Sequence, residues 1–153
     1  MFIRKAVMSD VDTIYNLIEH YAKEGRLLSR PRISIFENLQ SLYVVSEGDE
    51  ILAIAGLHIL WDNLAEIRSL VVSPEHAGKG IGKLLVDHIV SEAAKLEIEK
   101  LLSLTYQVEF FKRCGFTIVD KETMPQKVWK DCINCSKFPN CDETAMIIHT
   151  KNI

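Results

Sequence analysis

At 153 residues, with 48% apolar and 25% charged side chains, the chain has the length and composition of one soluble domain built round a single sizeable core. Its 18 Lys and Arg against 21 Asp and Glu leave a net charge of −3, which excludes a broad nucleic-acid surface, because neutralising phosphates needs clustered cations. No apolar run reaches the roughly 18 residues of a membrane span, and "MFIRKAVMSDVD" lacks the apolar core and cleavage site of a secretory leader, so a cytoplasmic protein with no membrane partner is expected.

In chain order, "FIRKAV" reads as a first strand. Ser9 and Asp12 are then placed to cap a helix whose apolar positions Val11, Ile14, Leu17, Ile18 and Tyr21 recur at helical spacing, and Gly25 stops it. Pro31 interrupts "RLLSRPRISIFENLQSL", and a shorter helix is expected from Ile35 to Leu42. "YVVSEGDEILAIAGLHIL" reads as a hairpin turning at "EGDE". In "AEIRSLVV", Glu66, Arg68, Leu70 and Val72 alternate with Ile67, Ser69 and Val71 across a strand that Pro74 ends. From Ile81 to Leu96, residues Ile81, Leu84, Leu85, Ile89, Ala93 and Leu96 mark one helix face. "KLLSLTY" is a strand, "VEFFKRCGF" a short helix ended by Gly115, and "FTIVD" and "TAMIIHT" close the chain as strands. This order predicts an α/β (α+β) fold, a mixed, mostly antiparallel sheet flanked by helices, in one domain spanning 1–153.

The most informative stretch is "PEHAGKGIGKLLV". Gly78, Gly80 and Gly82 lead into a helix whose first amides have no partner inside it and lie at the positive end of its dipole, so the loop suits an anion. A Walker loop fails on spacing and on the missing hydroxyl residue; a dinucleotide fingerprint fails because Gly82 is followed by Lys83, Leu84 and Leu85. The bland alternative is a flexible turn with a basic tip.

"EIRSLVVSPEHAGKGIGKLLV" with "FFKRCGF" resembles the GNAT superfamily of acetyl-CoA-dependent N-acetyltransferases, with Ala77 where the family's loop usually carries Gln or Arg. "YAKEGRLLSR", "LHILWDNLAEIRSLVV", "LTYQVEFFKRCGF" and "KVWKDC" narrow the resemblance to short bacterial proteins related to the acetyltransferase domain of N-acetylglutamate synthase, an enzyme of arginine biosynthesis. The kinase-like, arginine-binding domain of the full-length synthases has no counterpart in these residues. The resemblance implies acetyl-CoA as co-substrate with no tightly bound cofactor, its diphosphate on the amides of Gly78, Lys79, Gly80, Ile81, Gly82 and Lys83, and its pantetheine paired with Leu70, Val71 and Val72. Phe111 stands where many members carry a Tyr that protonates the leaving thiolate and counts among the cofactor-facing residues; Tyr106 is the nearest alternative hydroxyl.

Acetyl transfer to an amine needs a neutral nitrogen, hence a base. Glu66 matches the family's carboxylate, the alternative being a solvent-facing strand residue. A backbone amide near Val71 would stabilise the oxyanion. The forked guanidinium of Arg30 matches the carboxylate-binding Arg of the synthase family. Arg68 either joins it or forms a surface ion pair with Glu66. A further cation from Lys127, Lys130 or Lys137 is not assigned, and His58 and His88 read as packed or solvated. The partner expected is a small amino acid, with homodimerisation left open. No metal is expected. The alternative is a zinc site on Cys132, Cys135 and Cys141, with Asp142 or His149 as fourth ligand, against free thiols in a reducing cytosol. The competing functions are the same chemistry on another amine, such as glutamine, a different amino acid, a polyamine or a protein N-terminus, and a non-catalytic acetyl-CoA-binding regulatory module.

Overall fold

The structure is a computed structural model that describes residues 1–26, 29–124 and 143–152. Its strands are β1 (Phe2–Lys5), β2 (Leu42–Glu47), β3 (Glu50–Trp61), β4 (Leu64–Val72), β5 (Lys100–Thr105), β6 (Thr117–Ile118) and β7 (Thr144–His149). Its α-helices are α1 (Val11–Ala22), α2 (Arg32–Glu37), α3 (Ile81–Lys95) and α4 (Val108–Arg113). The strands form a seven-stranded sheet in the order β1-β2-β3-β4-β5-β7-β6. The β1–β2, β2–β3, β5–β7 and β6–β7 ladders are antiparallel, and β4 pairs with β5 in parallel through Leu64–Glu66 and Lys100–Leu102. A parallel pair requires a long crossover between its strands, and α3 lies within it. The expected mixed sheet and element order are both found. The described residues divide into two compact units, Met1–Leu57 with Ile67–Ile89, and His58–Glu66 with Val90–Ile153.

In the first unit, Val11, Ile14 and Ile18 recur along one stripe of α1 and pack with Ile35, Leu42, Val44, Ile54 and Val71, while Leu17 and Tyr21 lie at the margin. Burying Ile14 and Ile18 stabilises the unit by about 1.5–3 kcal/mol each. Asp10, rather than the expected Ser9 and Asp12, stands at the N-cap position of α1, and its carboxylate bonds back into the turn ahead of the helix instead of to a helix amide. Arg4 Nη1 and Nη2 donate to Asp10 Oδ2 and Oδ1 at 2.8 and 3.0 Å, and the Val7 amide donates to Oδ2 at 2.8 Å. The paired bond from Arg4, aided by the Val7 amide, holds the Asp10 carboxyl below its ordinary value despite burial. At its other end Gly25, at φ 74°, takes the left-handed position of a Schellman motif, with Arg26 N on Tyr21 O and Gly25 N on Ala22 O.

The second helix starts earlier and ends sooner than expected. Pro31, extended at φ −68° and ψ 158°, allows the chain to turn helical at Arg32. Asn38 closes it, donating its side-chain Nδ2 to Ser34 O at 2.8 Å, and Leu42 already belongs to β2. The buried face of α3 is also turned from the expectation: Leu84 and Leu96 are exposed, whereas Val86 and Val90 join Ile81, Leu85, Ile89 and Ala93 in the interior.

The second unit packs Leu64, Leu102, Ala145 and Ile147, flanked by Leu60, Leu104, Val119 and Met124. Asn63, at φ 58° between β3 and β4, accepts from the Glu99 amide and donates to the Glu99 carboxylate. Two Schellman motifs end its helices. At α4, Gly115 (φ 96°) is the left-handed residue, Phe116 N bonds Phe111 O at 3.0 Å, and the Phe111 and Phe116 rings make the accompanying apolar contact at 5.1 Å. At α3 a Glu holds the same place: Glu97 has φ 63°, with Ile98 N on Ala93 O and Glu97 N on Ala94 O. The strand expected over "FTIVD" shortens to Thr117–Ile118.

Candidate functional site

The glycine loop belongs to the first unit. Ser73 N bonds Leu52 O at 2.8 Å, Pro74–His76 form a 3-10 turn, and Ala77 is extended at φ −63° and ψ 147°. Gly78 and Gly80 follow at φ 79° and 80°. A Cβ at either would meet nothing within 4 Å, so conformation rather than space demands glycine there. The first bond of α3 is donated by Leu84 to Gly80 O at 3.1 Å, which leaves the amides of Ile81 and Gly82 without an acceptor inside the helix. The loop thus ends on a 15-residue helix whose dipole is positive at this end. Lys79 is exposed, and the Lys83 ammonium bonds Asp87 Oδ2 at 2.8 Å one turn along. His76 Nε2 meets Glu50 Oε1 at 3.1 Å, an ion pair when the imidazole is protonated, which braces the 3-10 turn against the start of β3.

Strand β4 leads into this loop. The expected alternation along it breaks at Ser69, whose φ of 56° is left-handed, a conformation that β-bulges use to re-aim side chains and that costs an L-residue about 1 kcal/mol. Glu66 and its neighbours Leu64, Ala65 and Ile67 are buried, Arg68, Ser69 and Leu70 are half-buried, and Val71 is buried again. Glu66, only 6% exposed, is therefore not the solvent-facing residue of the bland alternative. At the strand's end Tyr21 Oη donates to Val72 O at 2.7 Å, so that carbonyl already has a partner. Sequence reasoning placed Tyr21 on the apolar face of α1 and had no signal for its hydroxyl.

Arg30 is half-buried and stands just ahead of α2, flanked by Ser29 and Pro31. In the second unit Tyr106 lies one residue past β5, in a turn closed by the Gln107 amide on Thr105 Oγ1 at 2.7 Å, and is 37% exposed. Phe111 is buried, edge-on to Phe110 and Phe116. His88 sets its ring edge on Tyr43 at 5.7 Å, His58 is half-buried in β3, and His149 ends β7 exposed. Lys127, Lys130, Lys137, Cys132, Cys135, Cys141 and Asp142 lie outside the described residues.

Comparison with known proteins agrees with this geometry. The family model described as "Acetyltransferase (GNAT) family" matches residues 11–116. The chain is 37% identical over 145 residues to an uncharacterized N-acetyltransferase of Chlorobaculum tepidum, covering 95% of the chain and 94% of that protein. It is 33% identical over 132 residues to an amino-acid acetyltransferase of Mycobacterium tuberculosis, covering 84% and 75%. A Mycobacterium tuberculosis crystal structure in complex with CoA superposes with a TM-score of 0.84 at 28% identity, over 97% of this chain and 99% of that one.

Proposed function

Since the chain belongs to the acetyltransferase (GNAT) family, we propose that it moves the acetyl group of acetyl-CoA to the α-amine of an amino acid, L-glutamate first among them, the opening step of arginine biosynthesis. The observation that carries this reading is the loop. Two left-handed glycines deliver the chain to the start of a long helix, directly after a strand that bears a buried carboxylate. The amino-acid acetyltransferase relative and the CoA-bound neighbour support the choice of substrate class and co-substrate.

In this reading residues 1–153 work as one cytoplasmic acetyltransferase domain. The amides of Gly78–Lys83 hold the diphosphate, the main chain of Leu70, Val71 and Val72 pairs with the pantetheine, and Phe111 backs the cofactor. Arg30 and Arg68 take the carboxylates of the acceptor. Glu66 removes a proton from the α-ammonium, and the freed lone pair attacks the thioester carbon. The oxyanion is met by the Val71 amide; collapse breaks the C–S bond, the attacking nitrogen gives up its second proton to solvent to leave a neutral amide, and the thiolate takes a proton from solvent or from Tyr106, which solvent reprotonates.

The test is coenzyme A release by the purified protein with a panel of amino acids, a polyamine and a peptide N-terminus. The expected result is the highest kcat/KM with L-glutamate. A preference for another amine would move the substrate assignment. Heat on titrating acetyl-CoA without turnover on any amine would leave a regulatory module, and no heat at all would overturn the reading.

A further inference from the structure

The segment that carries Arg30 is fastened on both sides of it to one face of α1. Asp12, Tyr15 and Glu19 recur at three- and four-residue spacing, which places them along a single stripe of that helix. Ser29 Oγ donates to Glu19 Oε1, fixing the residue before Arg30. Two residues after it, Arg32 Nε donates to Asp12 Oδ1 at 3.3 Å and the guanidinium lies 4.1 Å from the centre of the Tyr15 ring. Between these points Pro31 has φ −68°, and its carbonyl accepts from Ser34 N at 3.0 Å. A proline also restricts the residue before it to extended backbone, so Arg30 itself has little torsional freedom.

We propose that Asp12, Tyr15, Glu19, Ser29 and Arg32 form a positioning clamp that presents the Arg30 guanidinium to the acceptor's carboxylate. This inference rests on the carboxylate-binding role proposed for Arg30. In this proposal the clamp residues act through Arg30 and have no contact of their own with the acceptor. Each exposed bond is weak alone, but together they hold a short segment in one geometry before the acceptor arrives, and the gain is in binding through preorganisation. The clamp therefore acts on the KM of the amino acid and leaves the acetyl-CoA side of the reaction alone.

The experiment measures kcat and both KM values for Glu19→Ala, Glu19→Gln, Arg32→Ala and Arg30→Ala, and for Glu19→Ala combined with Arg30→Ala, using the amino acid that the panel selects. Glu19→Ala and Arg32→Ala are expected to raise the amino-acid KM about three- to tenfold with kcat and the acetyl-CoA KM unchanged. Glu19→Gln, which still accepts from Ser29, is expected to behave as the parent. Once Arg30 is gone, Glu19→Ala should add nothing. The clamp is overturned if Arg30→Ala raises the amino-acid KM while Glu19→Ala and Arg32→Ala do not, or if the Glu19→Ala effect persists in full without Arg30. An unchanged amino-acid KM in Arg30→Ala sinks the carboxylate reading, and the clamp with it, as does an absence of turnover on every amino acid.

Discussion

The loop before α3 and the strand that feeds it both enter left-handed backbone, but by opposite means. Gly78 and Gly80 hold φ near 80° with open space where a Cβ would stand, at little conformational cost. Ser69 in β4 holds φ 56° with a side chain attached, which requires the surrounding fold to enforce it. In the proposed function the loop offers only main-chain amides, whereas the strand offers the Glu66 carboxylate. Grip on the coenzyme should therefore tolerate side-chain change but not the loss of glycine, and chemistry on the strand should behave the other way round.

The strand's half of this contrast fails most visibly with Glu66→Gln. Turnover at neutral pH is expected to fall about a hundredfold. Partial recovery should follow at high pH, where more of the amine is already neutral; a flat, undiminished pH profile would remove Glu66 as base. Outside both regions, Asp10→Ala sets the scale of a purely structural loss, about 2 kcal/mol by urea denaturation at neutral pH. Since the folded state holds the Asp10 carboxyl below its ordinary 3.8, its contribution is present above that pH and is lost as pH falls through the lowered value. The gap between parent and variant should accordingly close in acid. Gly80→Ala tests the loop: stability is expected to drop by about 1–2 kcal/mol and the acetyl-CoA KM to rise about tenfold, with kcat for bound substrate little changed. The smallest effects lie at Ser69. There Val should cost about 1 kcal/mol in a denaturant titration, and Gly should be neutral to within about 0.5 kcal/mol because relieved strain offsets the added freedom of the unfolded chain.

Signals that act over a few residues were legible in the sequence. Helical spacing gave α1 and α3, and the glycines that close Schellman motifs at 25 and 115 were read as helix stops. The turn before α3 was legible for the same reason, since Gly78 and Gly80 are conformational requirements there. What escaped was decided by tertiary contact or by an atypical residue. Asp10 holds the turn ahead of α1 because Arg4 reaches it from β1, which no local pattern near Ser9 contains. Leu84 and Leu96 fit the helical period but the interior chose Val86 and Val90. The burial of Glu66 beside Ile67 could not be read from a strand assumed to alternate, and the break at Ser69 carries no glycine to announce it.

Glu97 offers a practical opening. It closes α3 in a conformation that favours glycine by about 1 kcal/mol, at a helix end to which no chemistry has been assigned. Engineering that one position would build a sturdier scaffold, in which harsher substitutions elsewhere could be purified in native form and judged on what they do to catalysis.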